Sequence, residues 1–228
     1  MSNLAPDFFQ HYPTRWARHA DLIVHIVALT FALFGGGVAL GLAVSHGLLG
    51  KVAAITIYAI GMIAMLAFST AYNFAHPRWQ PFLRRLDHAG IFLMIAASYT
   101  PFTTQALKGG WALWMSVGVW SLAALGIVAK LFLSGHIAHS GWGKAFWIAL
   151  YLILGWLVVI AIKPMIREVP LPAMILLALG GVAYSVGTIF YAMKKLKFRR
   201  AIWHGHVLTG AVLHYVAILV GVVLVGSN

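Results

Sequence analysis

Ser69, Asn73 and His76 recur at intervals of four and three residues, the spacing that sets side chains on one face of a helix. Asp87 and His88 follow after a short connection, and Arg200 and His204 lie far along the chain, about 40° apart on a helical wheel. These types suit three chemistries. Ser69 and Asp87 form a hydroxyl–carboxylate pair fit for acid–base work. Asn73, Arg200 and His204 offer hydrogen bonds and a fixed cation to a polar head group. His204, with His76 as its nearest candidate partner, offers imidazole to a metal. His206 stands about 200° from His204, and His214 about 15 Å deeper, so one ion cannot take all three on a straight helix.

The elements that must carry these groups are apolar. The chain has 228 residues, 62% hydrophobic and 9% charged, too apolar for one soluble core. Seven runs have the length that crosses a bilayer as a helix: Ala20–Val44, Val52–Phe74, Leu86–Leu107, Trp111–Leu133, Lys144–Ile162, Pro172–Met193 and Ala201–Val225. Lipid offers no partner to a bare peptide group, so these runs are expected to be helical. The predicted class is an all-α polytopic membrane protein. It would have a tail over 1–19 and a seven-helix domain over 20–228. Met1 to His19 is polar and proline-containing, unlike a cleavable signal.

Lys and Arg fall unevenly about these spans, twelve on the side of the amino terminus and four on the other. Basic residues are retained in the cytoplasm, so the expected topology has the amino terminus inside and the carboxyl terminus outside. The same rule accounts for the net charge of +12 without a nucleic-acid partner. With no cysteine, disulfides and thiolate metal sites are excluded. Gly35–Gly37, Gly180, Gly181 and Gly187 read as close-packing points, and Pro101 and Pro164 as a kink and a span end. Trp16, Trp79, Trp111, Trp142 and Trp203 read as interfacial anchors. His11, His19, His46, His136 and His139 read as ordinary interfacial residues, and His25 and His214 as facing the bundle or a cavity. Among the acids, Asp7, Asp21 and Glu168 lie nearer segment ends, which leaves Asp87 as the one expected to be enclosed. An ionisable residue within a span is costly and usually marks a site.

Five motifs then become informative together: STAYN (Ser69–Asn73), RRLDHAGIFLMIAASYTPF (Arg84–Phe102), YLILGW (Tyr151–Trp156), GGVAYSVGTIFYA (Gly180–Ala192) and IWHGHVLTGAVLH (Ile202–His214). In order and spacing they resemble the hemolysin III family, bacterial relatives of the progestin and adipoQ receptors. The resemblance implies seven helices with the amino terminus inside, and a bacterial inner-membrane location. It also implies zinc near the cytoplasmic edge, held in better-known members by a Ser-x3-His, an Asp and a His-x3-His. Ser69, Asp87 and His204 match that pattern by position, while Asn73 and Arg200 stand where it has histidines. An amide is a weak zinc ligand and a guanidinium is a cation, so zinc is left open. Arg200 is expected instead to supply the positive charge, paired to Asp87 and bridged by Asn73 and Ser69.

The reading adopted is an integral membrane protein that binds membrane lipid or a lipid-like molecule, its polar cluster gripping the head group. Two alternatives stand beside it. One is a zinc-dependent intramembrane lipid-amide hydrolase using Ser69 and Asp87. The other is a channel-forming or cytolytic protein. Enzymatic status and oligomeric state are not given by the sequence.

Overall fold

The computed structural model describes residues 12–45, 49–133 and 141–225. Among them there is no strand. Eight α-helices account for most of the described residues: α1 (Arg15–Ser45), α2 (Leu49–Phe74), α3 (Gln80–Gln105), α4 (Gly109–Val128), α5 (Gly141–Gly155), α6 (Ile162–Glu168), α7 (Leu171–Ala192) and α8 (Arg199–Ile218). The short α6 continues α5 through a 3-10 segment, Leu157–Ala161. Among the described residues, six helical stretches are long and apolar enough to cross a membrane. α3 has 26 residues but is not one of the six, because polar residues crowd both ends of its apolar run, Arg84, Arg85, Asp87 and His88 at one and Thr100, Thr103, Thr104 and Gln105 at the other.

Two helices start earlier than the hydropathy pattern predicts. α1 begins at Arg15 rather than Ala20, and α3 at Gln80 rather than Leu86. Pro77 opens a single 3-10 turn, Pro77–Trp79, and Pro81 sits in the first turn of α3. Proline is tolerated there because first-turn N–H groups have no helical partner. Arg84 and Arg85 are therefore helical residues and not loop residues. Pro164 is another revision: it lies in the first turn of α6 and the helix runs on to Glu168.

The buried face of α1 is a stripe of small residues, Ala28, Ala32, Gly36, Ala39 and Ala43, and Asp21 and His25 continue it toward the amino-terminal end. That stripe lets α1 lie against α2 and α8. The tightest pairs are α2 with α3 and α7 with α8. At Gly187 an added Cβ would lie 2.8 Å from the His206 Cβ, so this crossing requires glycine. Gly37, by contrast, has nothing within 4 Å of where a Cβ would stand.

Beside the bundle's large cavity α5 breaks at Gly155–Trp156, which leaves backbone groups without helical partners. Tyr99 meets the need. Its hydroxyl lies 2.8 Å from the Gly155 carbonyl and 3.2 Å from that of Leu154, and it accepts the Val158 N–H at 2.8 Å. Trp16, Trp79 and Trp111 are exposed, as expected of anchors. Trp203 instead packs on Gly187 and Tyr191 and faces the interior cavities. His11, His46, His136 and His139 lie outside the described residues, as does the side chain of Trp142.

Candidate functional site

The amino-terminal turns of α1, α3 and α8 meet the carboxyl-terminal turns of α2, and their polar side chains converge. Asp21 is the centre. It is fully buried, and its carboxylate accepts the Tyr12 hydroxyl on Oδ2 at 2.5 Å and His204 Nδ1 on Oδ1 at 2.6 Å. One turn on, His25 Nδ1 donates to the Asp21 backbone carbonyl at 2.9 Å. The His25 and His204 rings lie 4.3 Å apart, centroid to centroid. Burial and the adjacent Asp21 carboxylate both push the Tyr12 phenol well above its ordinary range, so it stays a hydrogen-bond donor.

Ser69, Asn73, Asp87, Arg200 and His204 are all found in this region, around the centre formed by Asp21. Ser69 Oγ lies 3.4 Å from His25 Nε2 and 3.5 Å from His204 Nε2. Asn73 is buried and donates to the Ser69 carbonyl. Its Oδ1 accepts Arg200 at 2.5 Å and lies 3.5 Å from the Tyr12 hydroxyl. The Arg200 guanidinium sits 5.6 Å from the Tyr12 ring centre and 5.9 Å from that of Tyr72.

Three expectations need revision. The enclosed acid is Asp21, while Asp87 is half-buried. With α1 starting at Arg15, Asp21 lies nearly two turns inside the helix and on its interior face. Arg200 donates to Asn73, and Asp87 forms no ion pair among the described residues, in place of the expected Arg200–Asp87 pairing. His76 is exposed and caps the Pro77 turn by accepting the Arg78 N–H, because α2 ends at Phe74 before it can turn inward toward His204. The sequence reading missed Tyr12, Asp21 and His25 as site residues. Their signal was the i, i+4 pair Asp21 and His25 in register with the small-residue stripe of α1.

His206 turns away, bonding the Ile202 carbonyl and packing on Phe190. His214 lies deeper, against Tyr184, with Nε2 3.2 Å from the Leu177 carbonyl.

Two cavities adjoin the cluster. A small one, about 30 Å³, is bounded by His25, Ser69, Asp87 and His204 with apolar neighbours. A large one, about 800 Å³, extends from Asn73, Arg84 and Arg200 down to Ser98, Tyr99 and His214. Its charged lining residues are Arg84, Arg85, Lys130, Lys144, Arg199 and Arg200 against a single carboxylate, Asp87. Lys130 is buried, with Nζ 3.7 Å from the centre of the Trp147 ring. The Trp147 indole N–H is buried too and finds no acceptor among the described residues.

Comparison with known proteins fixes the family. The family model described as "Haemolysin-III related" matches residues 19–215. The chain belongs to the hemolysin III family. It is 37% identical over 177 residues to Hemolysin-3 of Bacillus cereus, covering 76% of this chain and 77% of that protein. It is 36% identical over 200 residues to the Hemolysin-3 homolog of Bacillus subtilis (strain 168), covering 87% of each. The human monocyte to macrophage differentiation factor is 29% identical over 227 residues, 96% of this chain and 90% of that protein.

For this hemolysin III protein the zinc pattern implied by the family can be tested against its own side chains. Asn73 and Arg200, which replace two histidines of that pattern, are hydrogen-bonded to each other. A guanidinium offers no lone pair to a metal, and the Asn73 oxygen is already engaged by a cation. These two positions do not fit the ion.

Proposed function

We propose that this multi-pass membrane protein binds an anionic, lipid-like amphiphile in its large cavity. The reading rests on the shape and charge of that cavity. Its volume is that of a small-molecule site. Along α3 it runs from Arg84 to Tyr99, about 22 Å at 1.5 Å per residue, long enough for a head group and most of an acyl chain. Cations crowd one end, while Met94, Ile95, Ile148 and Leu152 line the rest. Six basic groups against Asp87 make a poor home for a cationic or neutral head and a good one for phosphate or carboxylate. The Lys130 ammonium and the unsatisfied Trp147 N–H supply further donors. Asn73, Arg200 and His204 lie at the same end, and Ser69 and Asp87 border them.

In this reading α3 is the seventh span, its polar first turns lying at the membrane edge with the cavity mouth. The Lys and Arg distribution supports a cytoplasmic position for that edge, and the family supports a bacterial inner membrane. The chain has no native cysteine, so single cysteines placed beyond α1 and α8 would report sidedness by labelling with an impermeant thiol reagent.

The binding test is lipid analysis of the protein purified in mild detergent. Anionic lipid should co-purify with the wild-type protein. Lys130→Ala and Arg200→Ala should each lower its retention by about tenfold or more, as expected when a charge-assisted contact is lost. Retention of zwitterionic lipid alone, or retention indifferent to both substitutions, would refute the reading.

A further inference from the structure

Two glycine notches hold a polar pair at the deep end of the large cavity. Gly180 and Tyr184 stand one turn apart on α7, and Gly210 and His214 one turn apart on α8. The seating is reciprocal. A Cβ at Gly210 would lie 2.7 Å from the Tyr184 ring, and one at Gly180 would strike His214. A Cβ at Gly180 would also lie 3.3 Å from the Gly210 carbonyl, so both helices give up side chains where they cross. Tyr184 and His214 meet edge to face, with ring centres 5.4 Å apart. Both line the cavity. By helical rise His214 lies about 21 Å beyond Arg200 along α8.

Other polar groups at that end are already used. The Tyr99 hydroxyl serves the break in α5. Ser98 donates to the Ile95 carbonyl. Ser185 donates to the Gly181 carbonyl and accepts the Trp156 indole N–H. Tyr184 differs. Its hydroxyl has no hydrogen-bond partner among the described residues, yet it is not sealed within protein atoms as the Trp147 N–H is. It therefore meets open space, and the space that Tyr184 lines is the cavity. His214 Nε2 faces the Leu177 carbonyl at 3.2 Å and must carry hydrogen to bond it. The ring edge with Nε2 and Cδ2 is turned toward Gly180, so Nδ1, on the opposite edge, keeps a lone pair.

One donor and one acceptor thus stand side by side, at a depth where a plain hydrocarbon tail would satisfy neither. Leaving such groups unpaired is costly. We propose that the ligand of this cavity carries a hydroxyl on the distal part of its chain, which accepts the Tyr184 O–H and donates to His214 Nδ1. A hydroxyl fits because one oxygen both gives and takes a hydrogen bond. A carbonyl or ether could only accept, and Nδ1 would stay bare. The ligand class is then an anionic hydroxyalkyl amphiphile, held at both ends. This rests on the amphiphile reading of the cavity and adds to it a second point of recognition. The cations select the head, and the α7–α8 pair selects the chain. A site built to hydrogen-bond a ligand group discriminates against the analogue lacking it.

The test offers palmitate and ω-hydroxypalmitate, at equal concentration, to delipidated full-length protein in mild detergent. The two acids share a head group and differ by the terminal hydroxyl alone. Native mass spectrometry reads the ratio of the two complexes. The wild-type protein should favour the hydroxy acid by about tenfold or more, the worth of two modest hydrogen bonds. Tyr184→Phe removes a hydroxyl that no described residue uses, so the fold is kept. In that variant the preference should drop to about twofold or less. Tyr215→Phe, outside the cavity lining, should leave the preference unchanged. Equal binding of both acids by the wild type overturns the proposal and leaves the amphiphile reading standing. A preference that survives Tyr184→Phe overturns it too, and binding of neither acid removes both.

Discussion

Arg200 donates to Asn73 Oδ1 across 127 residues of sequence, so the two positions where this chain departs from histidine are each other's partner. The two substitutions make sense only together, since a guanidinium would repel a metal held at position 73 and an amide gives it an acceptor. The pair should therefore be energetically coupled. In a double-mutant cycle, Asn73→Ala and Arg200→Ala should share about 1.5–3 kcal/mol, the range for a hydrogen bond to a charged group. Equilibrium unfolding in mixed micelles measures this, and strictly additive losses would show the contact to be incidental.

Tyr12 should resist titration. Its burial, the charge of Asp21 and the hydrogen bond to Asp21 all favour the neutral phenol, raising its pKa above the ordinary value of about 10. A group with a raised folded pKa lends stability that is complete below its unfolded pKa and is lost as pH climbs through the folded one. Ultraviolet titration to about pH 11, just above the ordinary tyrosine value, should show the same phenolate amplitude in wild type and Tyr12→Phe. At neutral pH Tyr12→Phe should cost about 1.5–3 kcal/mol, because Asp21 loses a donor.

What could be read from sequence followed hydropathy, and what was missed followed helix ends. The apolar runs announce themselves because a bilayer demands about 20 such residues. Ser69, Asn73 and His204 were found because they interrupt those runs in helical register. Asp21 escaped because hydropathy places the start of α1 at Ala20, where an acid looks like solvent, whereas the helix begins at Arg15. Arg84 and Arg85 were assigned to a loop for the same reason. The break at Gly155 was invisible because all of YLILGW is apolar, and the residue that makes it tolerable, Tyr99, is on another helix.

Glycine positions divide by what a methyl would meet. Gly187→Ala should destabilise the α7–α8 crossing by about 1–3 kcal/mol, the usual cost of overpacking, because the new carbon would sit 2.8 Å from the His206 Cβ. Gly37→Ala, with nothing within 4 Å, should be near neutral. Thermal unfolding of the two variants side by side separates close packing from a general intolerance of change in these helices.

Tyr99→Phe is the sharpest test of how the bundle tolerates a broken helix. The hydroxyl meets the Leu154 and Gly155 carbonyls and the Val158 N–H, backbone groups that the helix break leaves without helical partners. Its removal should cost about 1–3 kcal/mol, the penalty of leaving those groups unpaired. The loss should be local. Amide exchange should quicken at Val158 and its neighbours while α2 and α8 stay protected, since neither contributes to the break. Because Tyr99 also lines the deep end of the large cavity, the variant should loosen the apolar end of a bound amphiphile while leaving its charged end held. Lipid retention should then fall less than in Lys130→Ala, and a larger fall would place the grip at the tail.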